Sequence, residues 1–139
     1  MQEGVSYAAL DLDSPERFQL LRRELGISSF GMNLIVLRPR QQGRIHRHER
    51  QEEVYLVLAG TLTLAVEGEQ RELARGELAR VGPEVRRRLI NRGSEVCAVL
   101  ALGGAGEHEG RDGVAFESWE ATEGRAPQEV PMPEDLPEA

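Results

Sequence analysis

The stretch His46-Arg47-His48-Glu49-Arg50-Gln51-Glu52-Glu53-Val54-Tyr55-Leu56-Val57-Leu58-Ala59-Gly60 decides how this chain is read. Two histidines separated by one residue on a strand point to the same face, so both imidazoles can reach one ion without distorting the backbone. A short turn at Arg50 to Glu52 would return the next strand antiparallel and set the Glu53 carboxylate opposite the imidazoles. Such a two-histidine, one-carboxylate face suits Fe, Mn, Ni, Zn or Cu as a divalent ion, with positions left for water or substrate. The plainer alternative is a surface histidine pair beside an exposed turn rich in Arg and Glu.

Outward from this stretch, residues 29–103 break into short β-rich runs separated by Gly, Pro and polar clusters: SFGMNLIVLRP, GRIHRHE, EEVYLVLAG, TLTLAVEGEQREL, GELARVGP, VRRRLIN and EVCAVLALGG. Strands at this spacing predict an antiparallel sandwich or barrel. Glu67-Gly68 and Arg92-Gly93 read as hairpin tips, and VAFESW as an added edge strand or a cover for the barrel. Before the strands, DSPERFQLLRRELG predicts a helix over 15–25, with Ser14 as cap, Pro15 in the first turn and Gly26 as stop. Phe18, Leu21 and Leu25 share its packing face. The segments expected are 1–28, a strand and helix; 29–104, the barrel; and 105–139, an acidic, partly disordered tail whose last stretch holds four prolines.

The 139 residues suffice for one core, and aromatics at 4% leave Val, Leu, Ile and Ala to build it. All 17 cationic residues are arginines, which excludes a lysine Schiff base. The single cysteine, Cys97, excludes an internal disulfide framework and reads as a small buried hydrophobe. With no membrane-length apolar run and no signal-like N-terminus, the expectation is a soluble, cytoplasmic protein without a membrane partner. Residues 107–139 carry ten acidic residues and two arginines, so the tail holds −8 of the net −7 and the body is near neutral. The one tight basic run, Arg86-Arg87-Arg88, is too small for a nucleic-acid face.

The spacing His46, His48, Glu53, Gly60 resembles the first motif of the cupin superfamily, with Arg40 where the family's leading glycine stands. Beyond a spacer of fifteen residues after Gly60, Gly76 and Asn91 match the second motif, while Gly82 takes its proline position beside Pro83 and Glu84 its glycine position. The resemblance covers about residues 30–103. It implies an all-β, cupin-type double-stranded β-helix (jelly-roll) barrel, with a short N-terminal helix and an acidic C-terminal tail, and it implies His46, His48 and Glu53 as metal ligands.

Arg87 occupies the position of the family's third histidine. A guanidinium has no lone pair to donate, and a unit cation about 5 Å from a dication is repelled by roughly 6 kcal/mol at an effective dielectric of about 20. Either Arg87 pairs with Glu53 in a metal-free barrel, or the three remaining ligands hold a metal while Arg87 clamps an anionic substrate. The leading expectation is a metal-binding protein for a small anionic or oxygen-rich metabolite, as an oxygenase or isomerase. The alternatives are a metal-free binding or sensing module, and an interaction protein that works through its acidic tail.

If Glu53 points inward, strand parity puts Tyr55 and Val57 on its face; the plainer account of Tyr55 is core packing with a satisfied hydroxyl, and the functional one is a substrate contact beside Arg87. Leu89 and Asn91 share the face of Arg87, leaving Arg86 and Arg88 as a solvated pair. Asn91 is expected to satisfy a turn, Gln51 and Glu52 to be exposed turn residues, and His108 to sit in a glycine-rich loop. FGMNLIVL reads as an edge strand in need of cover, from which a homodimer is expected.

Overall fold

Apolar residues alternating between Gly31 and Gly104 fold into two facing antiparallel sheets. The computed structural model describes residues 3–104 and 112–138. In chain order the elements are β1 (Phe18–Gln19), α1 (Leu21–Leu25), β2 (Gly31–Leu37), β3 (Ile45–His48), β4 (Glu52–Ala59), β5 (Leu62–Val66), β6 (Glu69–Leu73), β7 (Leu78–Val81), β8 (Arg87–Ile90), β9 (Cys97–Gly104) and β10 (Gly113–Phe116), followed by a 3-10 turn at Pro127–Glu129. One sheet runs β1-β2-β9-β4-β7 and the other β10-β3-β8-β5-β6. Between them lies a core to which both contribute, with Leu37, Val57 and Val99 from the first and Leu62, Leu64 and Leu89 from the second. No helix among the described residues is long and apolar enough to cross a membrane.

The helix is shorter than the sequence predicts. Phe18 and Gln19 are extended and pair with Ile35 and Leu34 of β2, so inter-strand hydrogen bonds win over local helical preference. The Ser14 hydroxyl accepts from the Glu16 amide in a local turn and caps no helix. The stop is as expected: Gly26 is left-handed, at φ 71°. Leu21 of α1 packs with Leu34, Val36 and Ala98 on the outer face of the first sheet. Nor is the FGMNLIVL run an edge, because β9 lies on one side of β2 and β1 on the other, and β2 is buried on both faces.

Glu67-Gly68 is the hairpin tip between β5 and β6, both residues at positive φ. Arg92-Gly93 is not a hairpin tip. It carries the chain from β8 in one sheet to β9 in the other, and the Asn91 side chain braces it by accepting from the Gly93 amide and donating to the carbonyls of Leu37 and Glu95. The VAFESW segment supplies β10, the outer strand beside β3. Past it, the chain lies against the barrel: Val130 is buried, its carbonyl accepts from Arg44 Nε, and the Glu134 carbonyl accepts from Gln42.

The motif glycines and their replacements share one backbone requirement. Gly60 sits at φ 71°, where an added Cβ would run into the Val96 carbonyl and the Cys97 Cα. Arg40 and Glu84, which stand where the motifs have glycine, are themselves left-handed, at φ 71° and 70°. The side chains changed and the turn did not, at a conformational cost of about 1–2 kcal/mol for each such residue. Gly60→Ala is expected to destabilise by about 3 kcal/mol or more, and Glu84→Gly to stabilise by up to about 1 kcal/mol. Urea unfolding midpoints at constant m-value check both.

Candidate metal centre

His46 and His48 stand on β3 and point into the barrel, while Glu53 and Tyr55 stand on β4 of the opposite sheet. The sequence reading made β3 and β4 neighbours across a tight turn. Instead, residues 49–51 carry the chain from one sheet to the other, and Glu53 meets the imidazoles across the interior. Asp112, just before β10, secures this crossing: its carboxylate accepts from the amides of Arg50 and Gln51 at 3.1 and 2.9 Å, and its carbonyl from that of Glu49.

Both imidazoles are oriented through Nδ1. His46 Nδ1 lies 3.1 Å from the Arg44 carbonyl and His48 Nδ1 lies 2.8 Å from Asp112 Oδ1. A carbonyl oxygen can only accept, so His46 Nδ1 carries the proton; the Asp112 carboxylate imposes the same tautomer on His48. In the neutral rings the lone pairs are then at Nε2, and these atoms stand 3.8 and 3.5 Å from Glu53 Oε1. Ligand atoms of His46, His48 and Glu53 all lie within 4.8 Å of one another, a set that could hold a metal ion. Hydrogen-bonded support behind ligating histidines is how protein metal sites fix ligand direction, and the donor set fits a borderline divalent ion.

Arg87 of β8 is in register with His46, which explains how the second motif reaches the site. Its side chain is 0% exposed, with NH2 donating to Glu53 Oε1 at 2.7 Å, Nε to the Tyr55 hydroxyl at 3.1 Å and NH1 to the Val85 carbonyl at 2.9 Å. The Tyr55 hydroxyl in turn donates to Glu53 Oε1. Burial alone would raise the Glu53 carboxyl, but the facing His46 and His48 imidazoles, which in their protonated form donate to it through Nε2, hold it well below the usual range. Burial and the nearby Glu53 charge push the Tyr55 phenol well above its ordinary value. Burial works against the His48 cation, yet Glu53 and Asp112 together raise its pKa.

Two adjoining cavities, of about 370 and 300 Å3, share Asn33, His48, Glu53 and Gln128 in their walls. Tyr55 lines the smaller one, whereas Arg87 lines neither. Gln51, expected to be an exposed turn residue, is 6% exposed and lines the larger cavity; its backbone N–H donates to Asp112 Oδ2 and holds it there. Glu52 is exposed and paired with Arg80. Arg86 is not merely solvated, since its guanidinium lies 3.7 Å over the Phe116 ring and donates to the carbonyls of Trp119 and Ala121. Arg88 donates to the Gly43 carbonyl. Cys97 is fully buried, and burial pushes its thiol up to about 11. His108 lies outside the described residues.

Sequence reasoning missed Asp112, Asn33 and the tail residues Pro127 and Gln128 as parts of the site. An acidic residue far along the chain from the histidines carries no local signal of the imidazole it supports.

Facing antiparallel sheets around an inward two-histidine, one-glutamate set define a small barrel competent to hold a metal. The family comparison agrees: the cupin domain model matches residues 33–103, just over half of the chain, and the protein belongs to that family. A comparison with curated protein sequences finds no match. Among solved structures, it is similar to a putative sugar phosphate isomerase from Acidithiobacillus ferrooxidans, at 25% identity and a TM-score of 0.61 over 71% of this chain and 62% of that one. The matched part is thus less than two thirds of that relative's length. A cupin protein from Bacteroides fragilis matches at 21% identity and a TM-score of 0.68, over 78% of this chain and 92% of that one. A sugar phosphate isomerase from Silicibacter pomeroyi matches at 21% identity and 0.65, over 91% and 97%. At these identities the last two show the fold.

The Asp112 carboxyl, which burial would raise, is lowered by its bonds from His48, Arg50 and Gln51. Its contribution is therefore present above its ordinary value of 3.8 and lost as pH falls through the depressed folded value. The raised His48 contributes below 6.5, and that part is lost as pH rises through its folded value. In metal-free protein, Asp112→Asn is expected to cost on the order of 1–3 kcal/mol. Urea titrations from pH 3 to 9 should show the difference from wild type greatest between about pH 4 and 6.5 and smaller on either side.

Proposed function

We propose that this cupin binds a divalent transition metal through His46, His48 and Glu53 and presents it to a small anionic or oxygen-rich metabolite. The observation that carries the reading is the convergence of two Nε2 atoms and one carboxylate, with both Nδ1 positions already committed to acceptors. A metal in this position supplies Lewis acidity, or a centre for oxygen chemistry, to a ligand that reaches it from the adjoining cavities.

Charge then selects the ligand. The Glu53 carboxylate is balanced by Arg87, so a dication added to two neutral imidazoles is left with its full +2 and only Asp112 behind it. A site with a histidine in place of Arg87 would keep the Glu53 charge for the metal. The arginine therefore weakens metal binding and raises the demand for an anionic ligand. Tyr55, in the cavity wall, is the contact for that ligand, and Arg87 acts on it through Glu53 and the Tyr55 hydroxyl. An isomerase is favoured over an oxygenase by the likeness to the putative sugar phosphate isomerase.

A second reading is favoured by the Arg87–Glu53 bond itself, which satisfies the carboxylate without an ion: a metal-free module that binds or senses a small ligand. Metal analysis separates the two. The expected result is near-stoichiometric metal in wild type, its loss in His46→Ala with His48→Ala, and at least tenfold tighter binding in Arg87→His. Negligible metal in wild type that rises sharply in Arg87→His overturns the first reading in favour of the second.

We further propose a cytoplasmic homodimer. The lone cysteine supports a reducing compartment. Strand β1 is only two residues long and pairs with Leu34 and Ile35, while Tyr7, Phe18 and Phe30 are exposed apolar groups, a combination that suits cover by a second copy. Light scattering on the purified chain is expected to give twice the monomer mass; a monomer rejects the dimer.

A further inference from the structure

We infer that Arg22 and Arg23 form an anion subsite in the larger cavity, holding the phosphate or carboxylate terminus of a metabolite whose oxygen donors face His48 and Glu53. The inference rests on the metal-binding reading for the second half of that ligand, but the arginine subsite stands on its own observations.

Both arginines come from α1 and line the cavity of about 370 Å3 that also carries His48, Glu53 and Asp112 in its wall. The two acidic groups are already engaged. Glu53 is bound by Arg87 and the Tyr55 hydroxyl, and Asp112 by His48 and two backbone amides. Neither carboxylate is bonded to a guanidinium of α1. Among the described residues, no hydrogen bond or ion pair reaches the side chain of Arg22 or Arg23, and Arg22 Nε is the one buried side-chain nitrogen or oxygen without a partner. A buried N–H that water does not reach is unfavourable unless an acceptor is brought to it. A small turn of the side chain toward the cavity gives it one, because a planar guanidinium presents paired donors to an oxyanion.

The other arginines near the site do not share this condition. Arg17 and Arg44 line the smaller cavity, but Arg17 donates to the Gln42 carbonyl and Arg44 to the Val130 carbonyl. Arg87 is fully occupied behind Glu53. The unsatisfied donors are thus confined to the α1 side of the larger cavity, whose volume is that of a small-metabolite pocket. A ligand with a charged terminus there and hydroxyl or carbonyl oxygens at its other end meets the two halves of the site together.

The test is calorimetric titration of the full-length, chelator-treated chain with inorganic phosphate and, in a parallel arm, with malonate, at one fixed ionic strength. The stronger of the two identifies the terminus. The expected result is binding that weakens at least tenfold in Arg22→Gln and several-fold in Arg23→Gln, whose side chain is exposed and carries no packing. Arg71→Gln, on an exposed strand away from the cavity, removes the same charge and should stay within twofold of wild type. Failure of both anions to bind wild type overturns the subsite. So does unchanged binding in both arginine variants, or a loss in Arg44→Gln in place of Arg22→Gln. Metal uptake, measured separately on wild type and Arg22→Gln, is expected to be equal. Absence of metal with phosphate or malonate binding intact rejects the metal reading and leaves the subsite standing.

Discussion

The carboxylate of Glu53 is the group on which the interior depends. One of its oxygens receives the Arg87 guanidinium and the Tyr55 hydroxyl, and stands within 4 Å of both imidazole Nε2 atoms. Removing a guanidinium from water completely is costly, and an attraction of roughly 6 kcal/mol at 2.7 Å, for an effective dielectric of about 20, offsets that cost only with good hydrogen-bond geometry. Arg87 has such geometry at each of its three nitrogens. Without Glu53 the barrel would hold a buried, unpaired cation next to two imidazoles.

This arrangement gives Glu53 two tasks that compete. It is the counter-charge of Arg87 and also the anionic member of the candidate ligand set. A charge committed to one neighbour is less available to another, so an ion at the histidines meets a weaker field than the ligand types alone suggest. The deficit is a property of the pocket as a whole, and in the proposed reading it passes to the ligand as a preference for negative charge. The arginines of α1, proposed as an anion subsite, would add a preference of the same sign from a different element.

The histidine direction has a longer-range cause. His48 is aimed by Asp112, and Asp112 also ties down the amides of the crossing between β3 and β4. One residue thereby couples the path of the backbone to the orientation of an imidazole. The following strand β10 pairs with β3 in a register that sets Gly113 opposite His48, bringing the chain after residue 112 to the site. Pro127 and Gln128 then complete the cavity wall, so the acidic C-terminal stretch is structural as well as charged.

Local pattern alone pointed to an antiparallel sandwich or barrel, its strand runs, the shared face of His46 with His48 and of Glu53 with Tyr55, and the stop at Gly26, because period-two alternation and left-handed glycines are properties of neighbouring residues; the choice of the barrel came from the cupin resemblance. The same resemblance marked Arg87 as the anomaly of the second motif. What it could not reach were pairings between distant residues. The start of α1 was misread because β2 captures Phe18 and Gln19 for a sheet. The route from Glu53 to the histidines was misread because β3 and β4 belong to opposite walls, and Asp112 went unseen because its partner lies sixty-four residues away in the chain. Only the tertiary structure decided where the Arg87 charge points: toward Glu53 and away from the cavity, since a buried guanidinium must be neutralised by whichever carboxylate the folded sheets set beside it.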